Sequence, residues 1–325
     1  MLGKAKTSAK VEVDFRGSGT TYSLFRIRHV YFNLDWGKSA LLVGQTWHPL
    51  YGDVAPEILN LNMGAPYQPF SRAPQIRYRF TSNNFMLTAA AIWQSQYLSV
   101  GPKTNKPGET STRKSQEFMK KSCVPEFYLG VDYKRPGLIA GAGLHVSSIT
   151  PRTQSETEDA VYFVNERVTG ISGEAHVKYT KENWLVSAKT VLGTNLTQTS
   201  TVGGYGITSI DEVTGKQQYS PLRTSSTWVN VAYGKKWRPA LFFGYLKNLG
   251  ATKEVPYGAL GTGTTLDQLF TGTAELTYNI PHWKFGAEYS LCNAWYGDEF
   301  DAKAKAINSH SILNHRIVLV ALFQF

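Results

Sequence analysis

The sequence predicts an all-β protein, a single transmembrane antiparallel β-barrel over residues 1–325, from three observations. Apolar and polar residues alternate with the two-residue period of a strand in fourteen segments. The connections between these segments are alternately short and long after the first pair. Aromatic residues, 13% of the chain, crowd beside the short connections.

The first segment shows the alternation that defines the others. Val11 and Val13 lie on one face of a strand, and Lys10 and Glu12 lie on the other. No helical pattern competes over a comparable length. The predicted strands are Ala5 to Phe15, Tyr22 to Asp35, Ser39 to His48, Ala73 to Phe80, Phe85 to Gln94, Val124 to Tyr133, Leu138 to Ile149, Val168 to Tyr179, Trp184 to Thr194, Thr227 to Gly234, Ala240 to Leu246, Leu269 to Asn279, Trp283 to Asn293 and Ile312 to Phe325.

The connections separate into tight turns and long loops. Successive antiparallel strands place all the tight turns at one end of the sheet and all the long loops at the other, which is the asymmetry of outer-membrane barrels. The long loops are Pro49 to Arg72, Ser95 to Cys123, Thr150 to Arg167, Asn195 to Ser226, Lys247 to Asp267 and Ala294 to Ser311.

Aromatic residues beside the tight turns predict a girdle at one membrane interface, where a ring can contact head groups and hydrocarbon together. The alternative is that aromatic residues simply favour strands. The last strand ends on Phe325, and a terminal aromatic resembles the assembly signal of outer-membrane barrels. The girdle residues are Trp36, Tyr78, Phe80, Phe85, Tyr133, Tyr179, Trp184, Tyr233, Trp237, Tyr278 and Trp283.

Several predicted strands have one apolar face and one charged face. Charged side chains are costly against lipid, so the charged faces are predicted to point into a water-filled interior, and this number of strands encloses a channel. The apolar set changes parity near Arg28 and His29, which predicts a bulge there. The sequence assigns no face to Ser39 to His48 or to Ala240 to Leu246.

Composition excludes several other classes of protein. The longest apolar run, Ile317 to Phe323, is far shorter than the roughly 18 to 20 residues of a transmembrane helix. Cys123 and Cys292 are the only cysteines, so no disulfide framework is indicated. The net charge of +10 is compatible with nucleic acid, anionic lipid or small anions, but no nucleic-acid-binding fold or stacking surface accompanies it.

No motif indicates an enzyme, a cofactor or a metal site. The chain contains no GxSxG and no HExxH, and its seven histidines are scattered. The run GTGTT at Gly261 to Thr265 lacks the lysine of a phosphate-binding loop, and no predicted helix follows it. We therefore predict that the protein is not an enzyme.

Two blocks of sequence resemble a known family. FRIRHVYFNLDWGKSALLVGQTWHPLYG from Phe25 to Gly52, and NMGAPYQPFSRAPQIRYRF from Asn62 to Phe80, resemble the porins of Bacteroidota outer membranes, which are related to DcaP-type porins. Beyond these blocks only the strand pattern and Phe325 carry the likeness. The resemblance implies an exported outer-membrane channel that assembles as a homotrimer among outer-membrane lipids.

The start of the chain leads to a further expectation. The first ten residues lack the apolar stretch of a signal peptide, and strand alternation begins almost at Met1. The family resemblance implies additional strands before this point. We therefore expect about two strands upstream of the fourteen, giving about sixteen, the size of open porins.

Charged residues on the predicted inward faces are the candidate pore lining. Lys10, Arg26, Arg28, Lys189 and Arg316 lie away from both strand ends and are predicted to form a basic constriction that attracts anions. The alternative is that charges of both signs pair across the lumen. The remaining candidates are Arg77 and Arg79, nearer the tight turns, together with Glu174, Lys178, Glu275 and Glu288.

The loop Pro49 to Arg72 is rich in proline, glycine and apolar residues, a composition suited to packing. It is predicted to fold into the barrel as a constriction, or alternatively to cover the mouth or contact another subunit.

Two functions follow from the sequence. The first is passive diffusion of small polar solutes, above all anions. The second is an adhesin or docking surface formed by the long loops.

Overall fold

The computed structural model describes residues 5–15, 25–60 and 64–325, and most of them belong to one antiparallel sheet of 16 strands. Residues 22–24 of the predicted strand Tyr22 to Asp35, and Asn62 and Met63 of the second block, lie outside the described residues. All fourteen predicted strands are confirmed, and they form one continuous path in which each strand pairs with the next along the chain. In chain order the elements are β1 Lys6–Phe15, β2 Phe25–Asp35, β3 Ser39–Trp47, β4 Arg72–Ser82, β5 Phe85–Ile92, β6 Val100–Pro102, β7 Thr112–Lys114, α1 Glu117–Ser122, β8 Glu126–Arg135, β9 Leu138–Ile149, β10 Gln154–Glu156, β11 Val161–Phe163, β12 Val168–Lys181, β13 Trp184–Thr194, β14 Gly203–Ile210, β15 Gln217–Tyr233, β16 Trp237–Ala251, β17 Ala259–Thr262, β18 Leu266–Ile280, β19 Trp283–Phe300 and β20 Ala306–Phe323.

The long-loop end carries additional structure. Strands β14 and β17 pair with each other and β14 pairs with β15, which extends the sheet beyond the barrel wall. The pairs β6–β7 and β10–β11 form two small separate hairpins. A buried ion pair between Arg152 and Glu166, 2.6 Å apart, joins the two ends of the loop Thr150 to Arg167. Burial acts to lower the pKa of Arg152, but the Glu166 carboxylate outweighs it, so this pKa lies above its ordinary value.

Within the described residues, no helix is long and apolar enough to cross a membrane.

The last predicted long connection, Ala294 to Ser311, is wrong. Strands β19 and β20 continue as a hairpin to Phe300 and from Ala306, leaving a turn of residues 301–305. These extensions are rich in polar residues, and the Nδ1 atom of His310 lies 2.7 Å from a carboxylate oxygen of Asp298. Strand β15 likewise begins at Gln217 rather than at Thr227. Apolar alternation marks only the lipid-facing length of a strand, so it misses extensions into water.

The predicted bulge is confirmed at Arg28. Glu12 pairs with His29 and Val13 pairs with Ile27, so Arg28 has no residue opposite it in β1. The extra residue turns both Ile27 and Val30 outward, where both side chains are exposed. The bulge therefore keeps the outer face of β2 apolar along its whole length.

The aromatic girdle at the tight-turn end is confirmed. Rings contact each other across neighbouring strands just beside the turns, and most of them are exposed on the outer surface. The centroid distances are 5.2 Å for Phe85 and Tyr133, 4.7 Å for Trp184 and Tyr233, 4.5 Å for Trp237 and Tyr278, and 4.9 Å for Trp283 and Phe323. Strand propensity alone does not require this concentration at one end.

The outer face of the sheet is apolar and the inner face is polar. On β12, Ile171 is 63% exposed, whereas the neighbouring inward Ser172 is 1% exposed. The structure shows which residues of β3 and β16 face outward and which face inward, a point the sequence left open. Val43 on β3 lies outward, opposite Phe32 and Ile76. On β16 the inward residues include Phe242 and Leu246, both buried, so this strand is apolar on both faces.

Strands β1 and β20 are the two ends of the path, and among the described residues they do not pair with each other. Their side chains are mostly exposed on both faces. The expectation of about two further strands stays a prediction.

Candidate pore constriction

The segment of residues 48–71, here called the infolded loop, lies against the inner faces of strands across the barrel. The Nζ atom of Lys189 on β13 donates to the carbonyl oxygens of Leu50 and Tyr51 at 2.8 and 2.9 Å. The backbone N–H of Glu57 donates to the side-chain oxygen of Asn230 on β15 at 2.8 Å. The sequence left open whether this loop folds into the barrel, covers its mouth or contacts another subunit. These hydrogen bonds to the wall support a loop folded into the barrel.

Two acidic residues of the wall bind the backbone of the infolded loop at Leu59 and Asn60. The backbone N–H of Leu59 donates to Oε2 of Glu275 at 2.6 Å, and that of Asn60 donates to Oε2 of Glu288 at 3.1 Å. Glu275 and Glu288 face each other across β18 and β19. They therefore accept hydrogen bonds from the loop backbone rather than lining an open channel.

The apolar residues of the infolded loop form a small core inside the barrel. Val54, Ile58 and Tyr67 pack with inward residues of the wall, including Trp228 and Phe242. The Tyr67 hydroxyl lies 2.7 Å from Thr271, and the Trp228 ring N–H donates to Gln68 at 2.8 Å. This core explains the apolar composition of the loop and the apolar inner face of β16.

Ion pairs fix the side of the infolded loop that faces the tight turns. A carboxylate oxygen of Glu57 lies 2.6 Å from Nζ of Lys178, and the other lies 2.9 Å from Arg238. Asp53 pairs with Lys134 at 2.5 Å. Both acidic residues come from the loop and all three basic residues from the wall, so charge complementarity sets where the loop rests.

A second set of charges lies on the inward faces of β1 and β2. Glu12 lies 2.8 Å from Nζ of Lys10 and 2.7 Å from Nε of Arg28. Asp14 accepts a hydrogen bond from Nη1 of Arg28 at 3.1 Å and one from Nε of Arg26 at 2.8 Å. We call these five residues the charged ladder. All five side chains remain 26 to 48% exposed, and three cations face two anions, leaving one positive charge in excess.

Several predicted pore residues are buried instead. The ammonium group of Lys189 is fully buried beside Glu174, 3.7 Å away. Lys189 therefore does not line an open basic constriction. Glu174 accepts from the hydroxyl of Tyr128 at 2.9 Å. Arg77 donates to the carbonyl oxygen of Trp47 at 2.5 Å and is buried. These charges stabilise the wall and the root of the loop.

The other predicted residues are placed as follows. Arg79 lines a narrow recess under the infolded loop with Asp53 and Asp132. Arg316 lies on β20 opposite Ser290 and is exposed. The structure thus brings Lys10, Arg26 and Arg28 together, but not with Lys189.

Sequence reasoning missed the residues of the loop that bind the wall. Asp53 and Glu57 are the only acidic residues of residues 48–71. Two acidic residues in a loop rich in apolar residues, beside a basic inner wall, were the available signal. Their partners Lys134 and Arg238 could not be found from spacing, because they are 81 and 181 residues away along the chain.

An apolar exterior, a polar interior, short turns at one end and a loop folded inside define the fold of bacterial outer-membrane porins. No family model matches the sequence, and no curated protein matches it significantly. Solved structures do match over nearly the whole chain. The outer membrane channel DcaP of Acinetobacter baumannii has a TM-score of 0.68 at 17% identity, covering 99% of this chain and 82% of that one.

Two further solved structures have the same fold. The trimer form of OmpT, an outer membrane protein of Vibrio cholerae, matches with a TM-score of 0.53 at 12% identity, covering 99% of this chain and 87% of that one. An anion-selective porin from Comamonas acidovorans matches with a TM-score of 0.52 at 11% identity, covering 98% and 84%. These likenesses show the fold.

Proposed function

We propose that this chain forms a passive diffusion channel for small hydrophilic solutes in a bacterial outer membrane. The observation that carries the proposal is the infolded loop, which occupies part of a polar interior enclosed by an apolar outer surface. A loop fixed inside the barrel narrows the passage, and the charged ladder places cations and anions beside it. The porin-like fold supports this role.

The passage has a weak preference for anions. Its exposed charges on β1 and β2 include three cations and two anions, and Arg316 adds a further exposed cation on β20. Cations beside a narrow passage raise the local concentration of anions. The anion-selective porin among the structural neighbours supports the same direction.

The functional unit is a homotrimer surrounded by outer-membrane lipid. The trimer form of OmpT among the structural neighbours supports this assembly. The aromatic girdle supports a fixed depth in the bilayer, because exposed rings favour the interface between head groups and hydrocarbon.

Single-channel recording in planar bilayers tests the proposal. We expect purified protein to insert and give discrete ohmic conductance steps. Groups of three equal steps would support the trimer. Folded protein that inserts and gives no conductance would contradict the channel and favour the alternative, an adhesin or docking surface formed by the outer loops.

A further inference from the structure

Two histidines and a glutamate converge at the root of the infolded loop. His48 follows β3, Glu126 begins β8 and His145 lies within β9. The Nε2 atoms of His145 and His48 lie 2.8 and 3.3 Å from the same oxygen, Oε2 of Glu126. The three side chains are at most 2% exposed, and their candidate ligand atoms all lie within 4.8 Å of one another.

A neighbouring side chain orients the carboxylate. The Nε2 atom of Gln94 donates to Oε1 of Glu126 at 2.7 Å. Gln94 is itself fixed, because its Oε1 accepts from the backbone N–H of Ser99 at 2.9 Å. Oε2 is thereby directed between the two imidazole rings. Outer hydrogen bonds of this kind orient carboxylate ligands in metal sites.

We propose that His48, Glu126 and His145 bind a divalent transition-metal ion, with Zn²⁺ as the best fit. The ligand atoms are two imidazole nitrogens and one carboxylate oxygen, the N₂O set that zinc accepts in proteins. The ion ties the end of β3, where the infolded loop begins, to β8 and β9. Its role is structural and is independent of which solutes pass.

Both imidazole rings can adopt the tautomer that metal binding requires. Binding through Nε2 requires that each neutral ring carry its proton on Nδ1. Nδ1 of His145 is buried without a hydrogen-bond partner in the described part of the chain, so it takes the proton without losing a bond. Nδ1 of His48 accepts from the backbone N–H of Leu50 at 3.2 Å, and this one hydrogen bond is given up. A single neutral hydrogen bond is weak compared with zinc coordination.

No sequence motif marks this cluster, because its residues are far apart along the chain. His48 and His145 are 78 and 19 residues from Glu126. Only the pairing of strands around the barrel brings them together. The alternative is a hydrogen-bonded network in which both rings donate N–H groups to Glu126.

Another buried histidine provides a matched control. His176 also lies on the inner wall, where its two ring nitrogens bond to different carboxylates, Nε2 to Asp132 at 2.8 Å and Nδ1 to Glu174 at 3.0 Å. Its partners lie on opposite edges of the ring, so they do not converge on one point. A variant at His176 removes a buried imidazole and leaves the proposed site intact.

The test is titration of tag-free folded protein in detergent with Co²⁺, followed by visible absorption and by competition with Zn²⁺. We expect one ion per chain and the intense bands of tetrahedral Co²⁺. His145→Asn and Glu126→Gln should each weaken binding at least about 100-fold, while His176→Asn should bind normally. Zn²⁺ should also raise the unfolding temperature of the wild type and leave that of His145→Asn unchanged.

Absence of saturable Co²⁺ binding to the wild type would overturn the proposal, and so would equal affinity in wild type and both ligand variants. Those results would leave the hydrogen-bonded network. The wild-type titration decides even where a variant fails to fold. Channel conductance is measured separately, so loss of the metal site would not contradict the proposed channel.

Discussion

Charged residues inside this barrel have two different surroundings, and their surroundings decide what each can do. Lys189 is fully buried, and its ammonium group donates to two backbone carbonyls of the infolded loop. Arg28 is partly exposed between Glu12 and Asp14. Lys189 holds the infolded loop in place, whereas Arg28 is placed to act on solutes in the proposed channel. Both look alike in the sequence, as basic residues on inward strand faces.

At the residue scale, replacing both Arg26 and Arg28 with alanine should reduce or reverse anion preference. The charged ladder would change from an excess of one positive charge to an excess of one negative charge, since Glu12, Asp14 and Lys10 remain. Reversal potentials in a salt gradient measure the change. Arg135→Ala, at an exposed tight turn, is the control. An unchanged anion preference in the double variant would exclude these arginines from the constriction.

Lys189→Met should destabilise the protein. The substitution leaves the carbonyls of Leu50 and Tyr51 without their donor and removes the cation beside buried Glu174. Removing one partner of a buried charge pair costs about 3 kcal/mol. Urea unfolding in lipid vesicles measures the free energy, with exposed Lys181→Met as control. A variant as stable as the control would show that this ammonium group does not hold the loop.

At the scale of elements, the infolded loop needs glycine where it touches the wall. A Cβ atom at Gly244 on β16 would lie 2.6 Å from the ring of Tyr67, and one at Gly286 on β19 would lie 2.6 Å from Leu59. Such distances are shorter than a van der Waals contact. The small residues on the wall therefore create the space into which the loop packs.

Gly244→Ala should displace Tyr67 and loosen the infolded loop. Overpacking of this kind costs about 1 to 3 kcal/mol, and the looser loop should raise current noise in single-channel records. Gly272→Ala is the matched control, because its added Cβ would lie 3.5 Å or more from its neighbours. Equal stability and equal noise in the two variants would contradict close packing of the loop on β16.

At the scale of the whole molecule, the labelling of an introduced cysteine should depend on which face of the sheet it lies on and on whether the infolded loop covers it. With Cys123 and Cys292 replaced by serine, a water-soluble reagent should label position 178, which is partly exposed inside. Positions 175, 177 and 186 should be shielded by lipid, because they lie on the outer face.

Glu174 and Lys189 are pore-lining candidates by sequence, but both are fully buried, so cysteines at these positions should also be protected. Deleting part of the loop should expose them to the reagent while positions 175 and 177 stay protected. Labelling of 175 and 177 with protection of 178 would show that the faces are reversed.

The strands and their faces could be predicted from sequence because they depend on a local period of two. The bulge at Arg28 was predictable for the same reason. No face could be assigned to β16 from sequence, because Phe242 packs against the infolded loop and the inner face of this strand is apolar as well. Which charges bind the loop and which face water depends on contacts between distant residues, and no local pattern contains that information.

The hydrogen bonds of the infolded loop join residues very far apart in the chain. Its contacts to Asn230, Glu275 and Glu288 span 173, 216 and 228 residues. Contacts of such separation form late, because the intervening chain must first be ordered. A wall that lacked the strands after β13 would still offer the loop Lys134, Lys178 and Lys189 but none of these three partners, so we expect the passage to narrow late in assembly. Substitutions in the carboxy-terminal third that remove these contacts would therefore leave the passage wider, even where the amino-terminal strands are correctly folded.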